Sequence, residues 1–433
     1  MKKFLILLLT VVLGIGVFTV TAMADTVVTD DNGFTYTMKD GESTWTITGY
    51  SGSATNLTVP ASYNGKKVTA IGTYAFGRNN TLKTVKISEG IKTVGAKAFQ
   101  NCYNVKSLTL PSTLTTIGDY AFDGICTSTV NNSNPNMKVT IPANVTSIGK
   151  YAFAHNTGMT GVEFSSGITT IGSFAFAQSG ITVAKLPSSV TSIGSYAFSV
   201  CSNLVAINIP SGCTVGANAF MNSSSVRIFG FSGSSAQTYA NNNGCNFTIF
   251  KGNLTKVQNL KAGIKLTWTK RAGVTGYKIY RSVSGGDYSL LTTISSASTV
   301  TYTDTSTSNG KKYQYKVLPY KTVSGVTLYG SKSSALTIYR LTMPTISSVS
   351  NSAAGAITVK WNTNSSATGY QIKYIVGSTT KTVKVSGAST ASKKITGLTK
   401  NKTYKVYVRS YKTVSGTTYY SKYSAVKSIT LSK

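Results

Sequence analysis

The sequence predicts a mainly β protein in which a solenoid of stacked repeats precedes two β-sandwiches. Two observations lead to this prediction. A short pattern around an Ile-Gly or Val-Gly pair recurs seven times before residue 220. After residue 250, a longer segment occurs twice, at an offset of 91 to 93 residues, with short runs of alternating apolar and polar side chains. Only 12% of the residues are charged, and the many Gly, Ser, Thr, Asn and Tyr residues are typical of β-structure rich in turns.

The chain begins with the pattern of an export signal. Lys2 and Lys3 precede an apolar run of 17 residues, and Ala22-Met23-Ala24 forms a small-residue cleavage site. We therefore expect residues 1–24 to be a signal peptide. A retained anchor is the alternative, although 17 residues lie near the lower limit for crossing a bilayer. We expect no transmembrane segment in the mature chain and, because no sorting motif follows, a secreted protein associated non-covalently with the cell surface.

The repeats occupy the next part of the chain, residues 25–250, which we expect to form one solenoid with a cap at each end. Their glycines are 23, 23, 31, 23, 22 and 22 residues apart, the repeat length of leucine-rich solenoids. Each glycine is expected where the backbone needs a positive φ or approaches the next coil closely. Four residues later comes a phenylalanine, and stacking should bury these rings in one spine, each worth ~1.5–3 kcal/mol. The phenylalanines are Phe76, Phe99, Phe122, Phe153, Phe176, Phe198 and Phe220.

A small or amide residue follows most of these phenylalanines by three positions and is expected to satisfy backbone groups in the turn. Cys102 and Cys201 occupy this position, which favours structural thiols over a disulfide or a reactive role. The chain has five cysteines, an odd number that leaves at least one unpaired in an exported protein. No CxxC spacing occurs, so a zinc site has little support, and we expect no metal and no cofactor.

The segments between the repeats alternate as L-x-x-V-x-I and predict strands with one buried face. Their other side chains should point outward on a parallel sheet, the face on which repeat solenoids commonly bind partners. The alternative is that these side chains are merely solvated. The candidate ligand-binding residues are Lys83, Lys86, Lys106, Thr109, Thr140, Glu163, Lys185 and Asn208.

The repeat unit IGxxAFxxCxxLxxVxIPxxVTS resembles the BspA-like leucine-rich repeats of bacterial surface proteins. The resemblance implies a role in adhesion or host interaction, with a protein or glycan ligand that it does not identify. One repeat is longer than its neighbours by eight residues within residues 123–138. We expect a projecting loop there, either a tolerated insertion or a recognition loop.

From about residue 251 the chain reads as two duplicated modules, 251–341 and 342–433. Trp268 and Trp361 match, and short strands around a buried tryptophan predict immunoglobulin-like sandwiches. The modules resemble fibronectin type III domains. That resemblance makes Tyr313 and Tyr404 the tyrosines of a conserved corner, with the better match at Tyr404. It also places hairpins at the two KTVSG segments.

Positive charge is concentrated in these modules. Residues 25–250 carry 13 basic and 9 acidic residues, whereas residues 251–433 carry 28 basic and 2 acidic residues together with 17 of the 26 tyrosines. Such a field attracts polyanions. For an exported protein we expect anionic cell-wall polymers, and no nucleic acid as a physiological partner. A purely solubilising role of the lysines is the alternative.

Catalytic motifs are absent from the sequence, and we expect no enzyme. The one histidine, His155, has no recognisable nucleophile motif to serve, and Asp119 and Asp123 are interpreted as surface residues. Five aromatic residues follow the repeat glycines by two positions and could form either a sugar-stacking stripe or a partly buried ridge. They are Tyr74, Tyr120, Tyr151, Phe174 and Tyr196.

The sequence therefore predicts a secreted or cell-surface binding and adhesion protein, with the solenoid as ligand surface and the basic sandwiches as wall-associating spacers. A non-catalytic accessory or structural component of an extracellular polysaccharide-handling or matrix assembly remains the alternative.

Overall fold

A computed structural model describes residues 24–127 and 136–432 of the chain. The predicted signal peptide, apart from Ala24, and most of the inserted segment lie outside these residues. The described chain is almost entirely β-structure and divides into two compact units. The first contains the residues up to Ile249 together with Val323–Leu328, and the second contains the others.

The first unit is a solenoid in which each coil contributes a strand to each of two parallel ladders. An N-terminal meander, β1 (Thr26–Thr29), β2 (Phe34–Met38) and β3 (Trp45–Tyr50), leads into it. Six strands and a helix close the other end. The intervening strands are β4 (Asn56–Val59), β5 (Ser62–Tyr63), β6 (Lys66–Ile71), β7 (Thr84–Ile87), β8 (Thr93–Val94), β9 (Ser107–Thr109), β10 (Thr116–Ile117), β11 (Met137–Ile141), β12 (Ser147–Ile148), β13 (Met159–Phe164) and β14 (Thr170–Ile171). The closing elements are β15 (Val183–Lys185), β16 (Ser192–Ile193), β17 (Ala206–Asn208), β18 (Thr214–Val215), β19 (Arg227–Gly230), α1 (Ser235–Asn242) and β20 (Asn246–Ile249).

One long ladder runs β1-β2-β3-β6-β8-β10-β12-β14-β16-β18, with β5 attached to β6. The facing strands form two shorter ladders, β4-β7-β9 and β11-β13-β15-β17-β19-β20. The break between β9 and β11 coincides with the inserted segment. The candidate face is therefore carried by two sheets rather than one.

The core of the solenoid is the predicted phenylalanine spine. All seven rings are buried, and consecutive rings stack nearly parallel with centroids 4.7 to 5.7 Å apart. At the N-terminal end, Phe34 and Tyr50 pack on Phe76. At the C-terminal end, Tyr239 of α1 packs edge-on against Phe220 and its hydroxyl accepts a hydrogen bond from the Phe220 backbone N–H. Each end of the spine is thus closed by aromatic side chains that no repeat supplies.

The repeat glycines sit at points of close approach between coils, not at positive φ. A Cβ on Gly149 would lie 2.6 Å from the backbone of Gly118, and one on Gly194 would lie 2.5 Å from the backbone of Ser173. The positive φ falls two residues later, on Tyr120, Tyr151 and their equivalents, at 56° to 60° for the aromatic residues. Of the two readings that the sequence allowed for glycine, close approach is the one observed.

The second unit holds two sandwiches, each with a three-stranded and a five-stranded sheet. The first consists of β21 (Leu254–Asn259), β22 (Ile264–Trp268), β23 (Gly276–Val283), β24 (Ser289–Ile294), β25 (Thr301–Asp304), β26 (Lys312–Val323), β27 (Val326–Tyr329) and β28 (Leu336–Tyr339). The second consists of β29 (Ile346–Ala353), β30 (Ala356–Trp361), β31 (Gly369–Val376), β32 (Thr379–Ser386), β33 (Ser392–Ile395), β34 (Thr403–Val414), β35 (Thr417–Tyr420) and β36 (Lys427–Thr430). The sheet orders are β21-β22-β25 with β24-β23-β26-β27, and β29-β30-β33 with β32-β31-β34-β35; β28 pairs with β26, and β36 with β34.

Tryptophan and tyrosine organise both sandwich cores as the resemblance implies. Trp268 and Trp361 are buried against Tyr277 and Tyr370, with ring centroids 5.4 and 5.3 Å apart. The Tyr404 hydroxyl accepts a hydrogen bond from the Thr399 backbone N–H at 2.8 Å. Tyr313 makes the matching bond with the Ser308 N–H at 2.9 Å. The weaker of the two sequence assignments therefore has the same local geometry as the stronger one.

Candidate functional site

Four of the eight candidate residues form a single row on the six-stranded sheet. Thr140, Glu163, Lys185 and Asn208 are consecutive partners in the parallel register of β11, β13, β15 and β17. The first three are exposed, and the Thr140 hydroxyl lies 3.4 Å from a carboxylate oxygen of Glu163. This row presents a hydroxyl, a carboxylate and an ammonium group on a rigid surface.

Asn208 has less freedom than its neighbours in this row. Its side-chain Oδ1 accepts a hydrogen bond from the Leu186 N–H at 3.0 Å, and its Nδ2 donates to the Leu186 carbonyl at 2.8 Å. Because both polar atoms of the amide are already engaged with the backbone, its role in the structure is to fix the adjacent turn.

The other four candidates lie on the three-stranded sheet of the solenoid. Lys86 and Thr109 are register partners on β7 and β9. Lys83 and Lys106 precede these strands in neighbouring coils, where the Lys106 N–H donates to the Lys83 carbonyl at 2.7 Å. All four side chains are exposed. The structure thus gathers the candidates into two patches, a basic one on β7 and β9 and a mixed one on β11 to β17.

A second outward surface, on the long ladder, was not considered at the level of sequence. Its register aligns a row of hydroxyl residues, Thr93, Thr116, Ser147, Thr170, Ser192 and Thr214. Several adjacent threonines turn their hydroxyls inward: Thr169 and Thr191 donate to backbone carbonyls of the preceding coil at 3.0 and 3.2 Å. The threonine before each Ile-Gly pair was the available signal, and these bonds give it a structural explanation.

The aromatic column is a stacked ladder rather than a platform for sugars. The rings of Tyr120, Tyr151, Phe174 and Tyr196 are nearly parallel, with centroids 4.4 to 4.7 Å apart. Each inner ring therefore has both faces covered by its neighbours, and only ring edges face solvent. A sugar stacks on an exposed aromatic face, so this geometry favours the partly buried ridge of the two readings.

His155 and Asp123 form an ion pair across neighbouring coils. His155 Nδ1 lies 2.7 Å from Asp123 Oδ1, and Gln100 donates to the other carboxylate oxygen at 3.0 Å. The hydrogen bond to Asp123 raises the pKa of His155 against the opposing effect of burial. The interpretation of Asp123 as a surface residue is wrong, because its side chain is buried; His155 and Asp119 are exposed as expected.

The cysteines occupy the structural positions that the sequence assigned to them. All five are free thiols, and the Sγ atoms of Cys102 and Cys201 each donate to the carbonyl of a spine phenylalanine at 3.1 Å. Burial raises the pKa of Cys102 and Cys126 to about 12, which disfavours the reactive thiolate. Asn156 fills the same slot in its coil, where its amide bonds the Phe122 carbonyl and the Cys126 N–H, both at 2.9 Å.

Residues 50–137 and 124–248 match the model of the BspA type Leucine rich repeat region, in six copies. The solenoid is a BspA-type leucine-rich-repeat region. This match covers the solenoid and not the sandwiches, and a comparison with curated proteins finds no match for the chain.

Solved structures with similarity to the chain fall into two groups. For the leucine-rich-repeat region they include a leucine rich cell surface protein from Faecalibacterium prausnitzii A2-165, with 22% identity over 48% of this chain and 74% of that one and a TM-score of 0.33. A Leucine Rich Repeat protein from T. pallidum has 20% identity over 47% and 86%, with a TM-score of 0.30. A two-domain fibronectin type-III segment of chicken tenascin has 19% identity over 41% and 97%, with a TM-score of 0.23.

Two further searches concern residues 24–127 and 136–432. Within these ranges, no helix is long and apolar enough to cross a bilayer. The same ranges contain no group of three His, Cys, Asp or Glu side chains close enough to hold a metal ion.

Proposed function

We propose that this protein is a non-catalytic binding protein of the bacterial cell surface. In this proposal the leucine-rich-repeat region presents a protein or glycan ligand with the patches on β7, β9 and β11 to β17. The two sandwiches, fibronectin type III-like in their strand order and tyrosine corners, act as spacers and associate non-covalently with anionic wall polymers. The repeat family supports a role in binding, and the rigid in-register rows supply the surface for it.

The uneven distribution of charge carries the wall-binding part of the proposal. The net charge is +4 over residues 25–250 and +26 over residues 251–433, and the second sandwich contains no Asp or Glu at all. Of the two acidic residues in the first sandwich, Asp304 is buried and paired with Arg281. These sandwiches therefore neutralise little of their own positive charge, and a polyanion outside the protein would serve as counter-ion.

The test is co-sedimentation of the mature chain, residues 25–433, with purified cell walls before and after removal of teichoic acids. Because the Debye length falls from ~10 Å at 0.1 M salt to ~3 Å at 1 M, retention should fall steeply over that range. It should also fall when the teichoic acids are removed. Retention that is insensitive to both treatments would contradict the proposal for the sandwiches.

The solenoid part is tested separately on a glycan and protein array. Any ligand found should lose affinity when Lys86 and Lys106 are changed to Gln, or when Glu163 is changed to Gln. The matched control is Thr116→Ala with Thr170→Ala on the opposite ladder, where binding should be unchanged. Equal loss in the control variant would place the ligand elsewhere.

A further inference from the structure

The outer face of the five-stranded sheet in the second sandwich holds its cations against tyrosine rings. Lys373 of β31 lies with its Nζ 4.2 Å from the ring centroid of Tyr407 and 4.4 Å from that of Tyr423. Arg409 of β34 lies with its guanidinium carbon 3.7 Å from the centroid of Tyr420 and 4.5 Å from that of Tyr423. Such contacts are favourable cation–π interactions that keep the charge while restricting the side chain.

A shared amide orients two of these groups further. Gln371 Oε1 accepts hydrogen bonds from Arg409 Nε at 2.8 Å and from the Tyr423 hydroxyl at 3.1 Å. Among the described residues, the terminal nitrogens of Arg409 have no acceptor. An arginine held in this way presents its planar fork with fewer rotamers to lose, which suits it for phosphate.

The first sandwich carries the same contact with the partners exchanged. Lys373 and Tyr407 are register partners in the second sandwich, and the equivalent partners in the first are Tyr280 and Lys316. The contact of Lys373 with Tyr423 is likewise mirrored, because Lys332 Nζ lies 4.0 Å from the ring centroid of Tyr280. Each copy of the duplicated module thus keeps cations and tyrosines on this face, although different strands supply them.

No carboxylate balances this charge in the second sandwich, which has 14 basic residues and no acidic one. Its described exposed large apolar side chains do not form a cluster; Val426 is the single one there. An anionic ligand is therefore favoured over an apolar one, and a wall polymer over a membrane, which would also reward buried apolar surface. A face repeated in both modules also suits a ligand with regularly repeated charges.

We propose that this face, formed by Gln371, Lys373, Tyr407, Arg409, Tyr420 and Tyr423, is a binding site for a phosphodiester polymer of the cell wall. The proposal rests on the wall association proposed above and locates it on one surface. The phosphates pair with Arg409 and Lys373, while the tyrosine hydroxyls face the same polymer as hydrogen-bond donors.

The experiment measures binding of the mature chain to purified poly(glycerol phosphate) by calorimetry. The double variant K373Q/R409Q is compared with K393Q/K394Q, which removes the same charge from exposed residues of β33 on the other sheet. We expect K373Q/R409Q to weaken binding by about tenfold or more, as for loss of charge-assisted hydrogen bonds, and the control to weaken it several-fold less. Equal weakening in both variants would overturn the site and leave only a diffuse field.

A second variant keeps the net charge. R409K should also weaken binding, because lysine lacks the planar fork, whereas a diffuse field would not distinguish the two residues. Melting temperatures of all variants show whether each is folded under the conditions of the titration. Unchanged affinity in a folded R409K variant would count against the site.

Two outcomes separate this proposal from the more general one. If the wild-type chain binds neither walls nor poly(glycerol phosphate), wall association itself fails. If it binds walls but the two double variants behave alike, only the assignment to this face fails. Stronger binding to phosphatidylglycerol vesicles or to polyglutamate than to poly(glycerol phosphate) would reject the phosphodiester polymer as the ligand.

Discussion

Asp304 illustrates how the two sandwiches solve the same packing problem with different residues. Its carboxylate is 1% exposed and accepts hydrogen bonds from Arg281 Nη1 at 2.9 Å and from the Tyr315 hydroxyl at 2.7 Å. The second sandwich has Ile395 at the matching position of β33. One copy therefore buries a paired charge where the other buries a branched alkyl group, as is common because buried ion pairs can often be replaced by well-packed apolar groups.

We predict that Asp304→Ala destabilises the first sandwich by about 3 kcal/mol, because Arg281 and the Tyr315 hydroxyl then lose their partner. The measurement is denaturant-dependent hydrogen exchange of β22 and β26 in the mature chain. The control is Asp287→Ala, an exposed residue between β23 and β24, which should change stability by less than about 0.5 kcal/mol. Equal effects of the two substitutions would show that the buried pair contributes nothing specific.

The same carboxylate makes a prediction about pH. Burial alone would raise the pKa of Asp304, but the hydrogen bonds from Tyr315, Ser306 and Arg281, together with the charge of Arg281, outweigh it and lower the pKa. A carboxyl with a lowered native pKa stabilises the fold above its ordinary pKa and loses that contribution as the pH falls towards the native value. The first sandwich should therefore lose stability in acid faster than the second, in which position 395 does not titrate. Parallel acid titration of both sandwiches by hydrogen exchange checks this, and a steeper loss in the second would contradict it.

Single residues also mark the limits of the sequence analysis. The phases of the repeats predicted the phenylalanine spine, the turn slot and the outward rows, because tandem copies show which positions recur. Burial of Asp123 was missed because its partner His155 lies 32 residues away, and that distance matches one coil only after the insertion is counted. The strands of residues 26–50 were also missed, since they have no repeated copy and only Trp45 and Tyr36 hint at a core.

At the scale of the coil, backbone conformation is imposed by inter-coil hydrogen bonds. In each turn the N–H groups of alternate residues donate to the next coil, as Tyr151, Phe153 and His155 do to Ser173, Ala175 and Ala177 at 2.8 to 3.0 Å. Two residues per turn adopt a positive φ, and most of them are not glycine. This ladder holds L residues in a region that ordinarily costs roughly 1–2 kcal/mol each.

Val200 allows a direct test of this strain. It has a φ of 56°, which is especially unfavourable for a β-branched residue, and its side chain is 41% exposed. We predict that Val200→Gly stabilises the solenoid by about 1 kcal/mol, because glycine adopts this conformation freely. Val205, 37% exposed and without a positive φ, is the control, and Val205→Gly should destabilise by roughly 0.5–1 kcal/mol. Melting curves that shift in the same direction for both variants would show that the strain is already relieved.

The spine is the other feature of the coil that can be tested. Phe153 stacks between Phe122 and Phe176 at 5.2 and 5.6 Å and is fully buried. We predict that Phe153→Ala costs ~3–5 kcal/mol through the cavity it leaves. Because each coil stabilises its neighbours, hydrogen exchange should rise throughout the solenoid while the sandwiches stay protected. Tyr103→Ala, at an exposed site, is the control; a melting curve for Phe153→Ala that matches it would remove Phe153 from the core.

At the scale of the molecule, the feature that most shapes the second unit is the joint between its sandwiches. Arg340 is buried there and donates to the carbonyls of Leu260 and Lys261 at 3.0 Å. Across the joint, Asn309 and Asn364 exchange side-chain hydrogen bonds at 2.8 and 3.2 Å. The rings of Tyr339 and Tyr419 also meet, with centroids 5.1 Å apart. A wall-associating spacer gains from such a joint, because a fixed orientation lets both Lys–Tyr faces engage one polymer without ordering a flexible linker.

The linking segment itself offers the sharpest test of this rigidity. The Leu341 N–H donates to Asn259 Oδ1 at 3.2 Å, the Thr342 N–H donates to Asn309 Oδ1 at 3.0 Å, and the Thr345 N–H donates to Asn362. Side-chain amides thus hold the connection between the modules, so its backbone should exchange hydrogen slowly although it belongs to no strand. We predict that Asn309→Ala speeds exchange at Thr342 by at least about tenfold, the loss expected for one hydrogen bond of ~1.4 kcal/mol.

The matched control is Asn351→Ala. Asn351 donates to the Thr430 carbonyl at 3.3 Å elsewhere in the second sandwich, so its loss should leave the linking segment unchanged. Mass-spectrometric exchange of the peptide over residues 341–345 in the mature chain distinguishes the variants, with the exposed Ser415-Gly416 turn as a fast-exchanging reference. If this peptide exchanges as fast as that turn in the wild-type chain, the joint is a flexible linker. The two faces would then bind independently, and the second would add affinity only through its local concentration near the polymer.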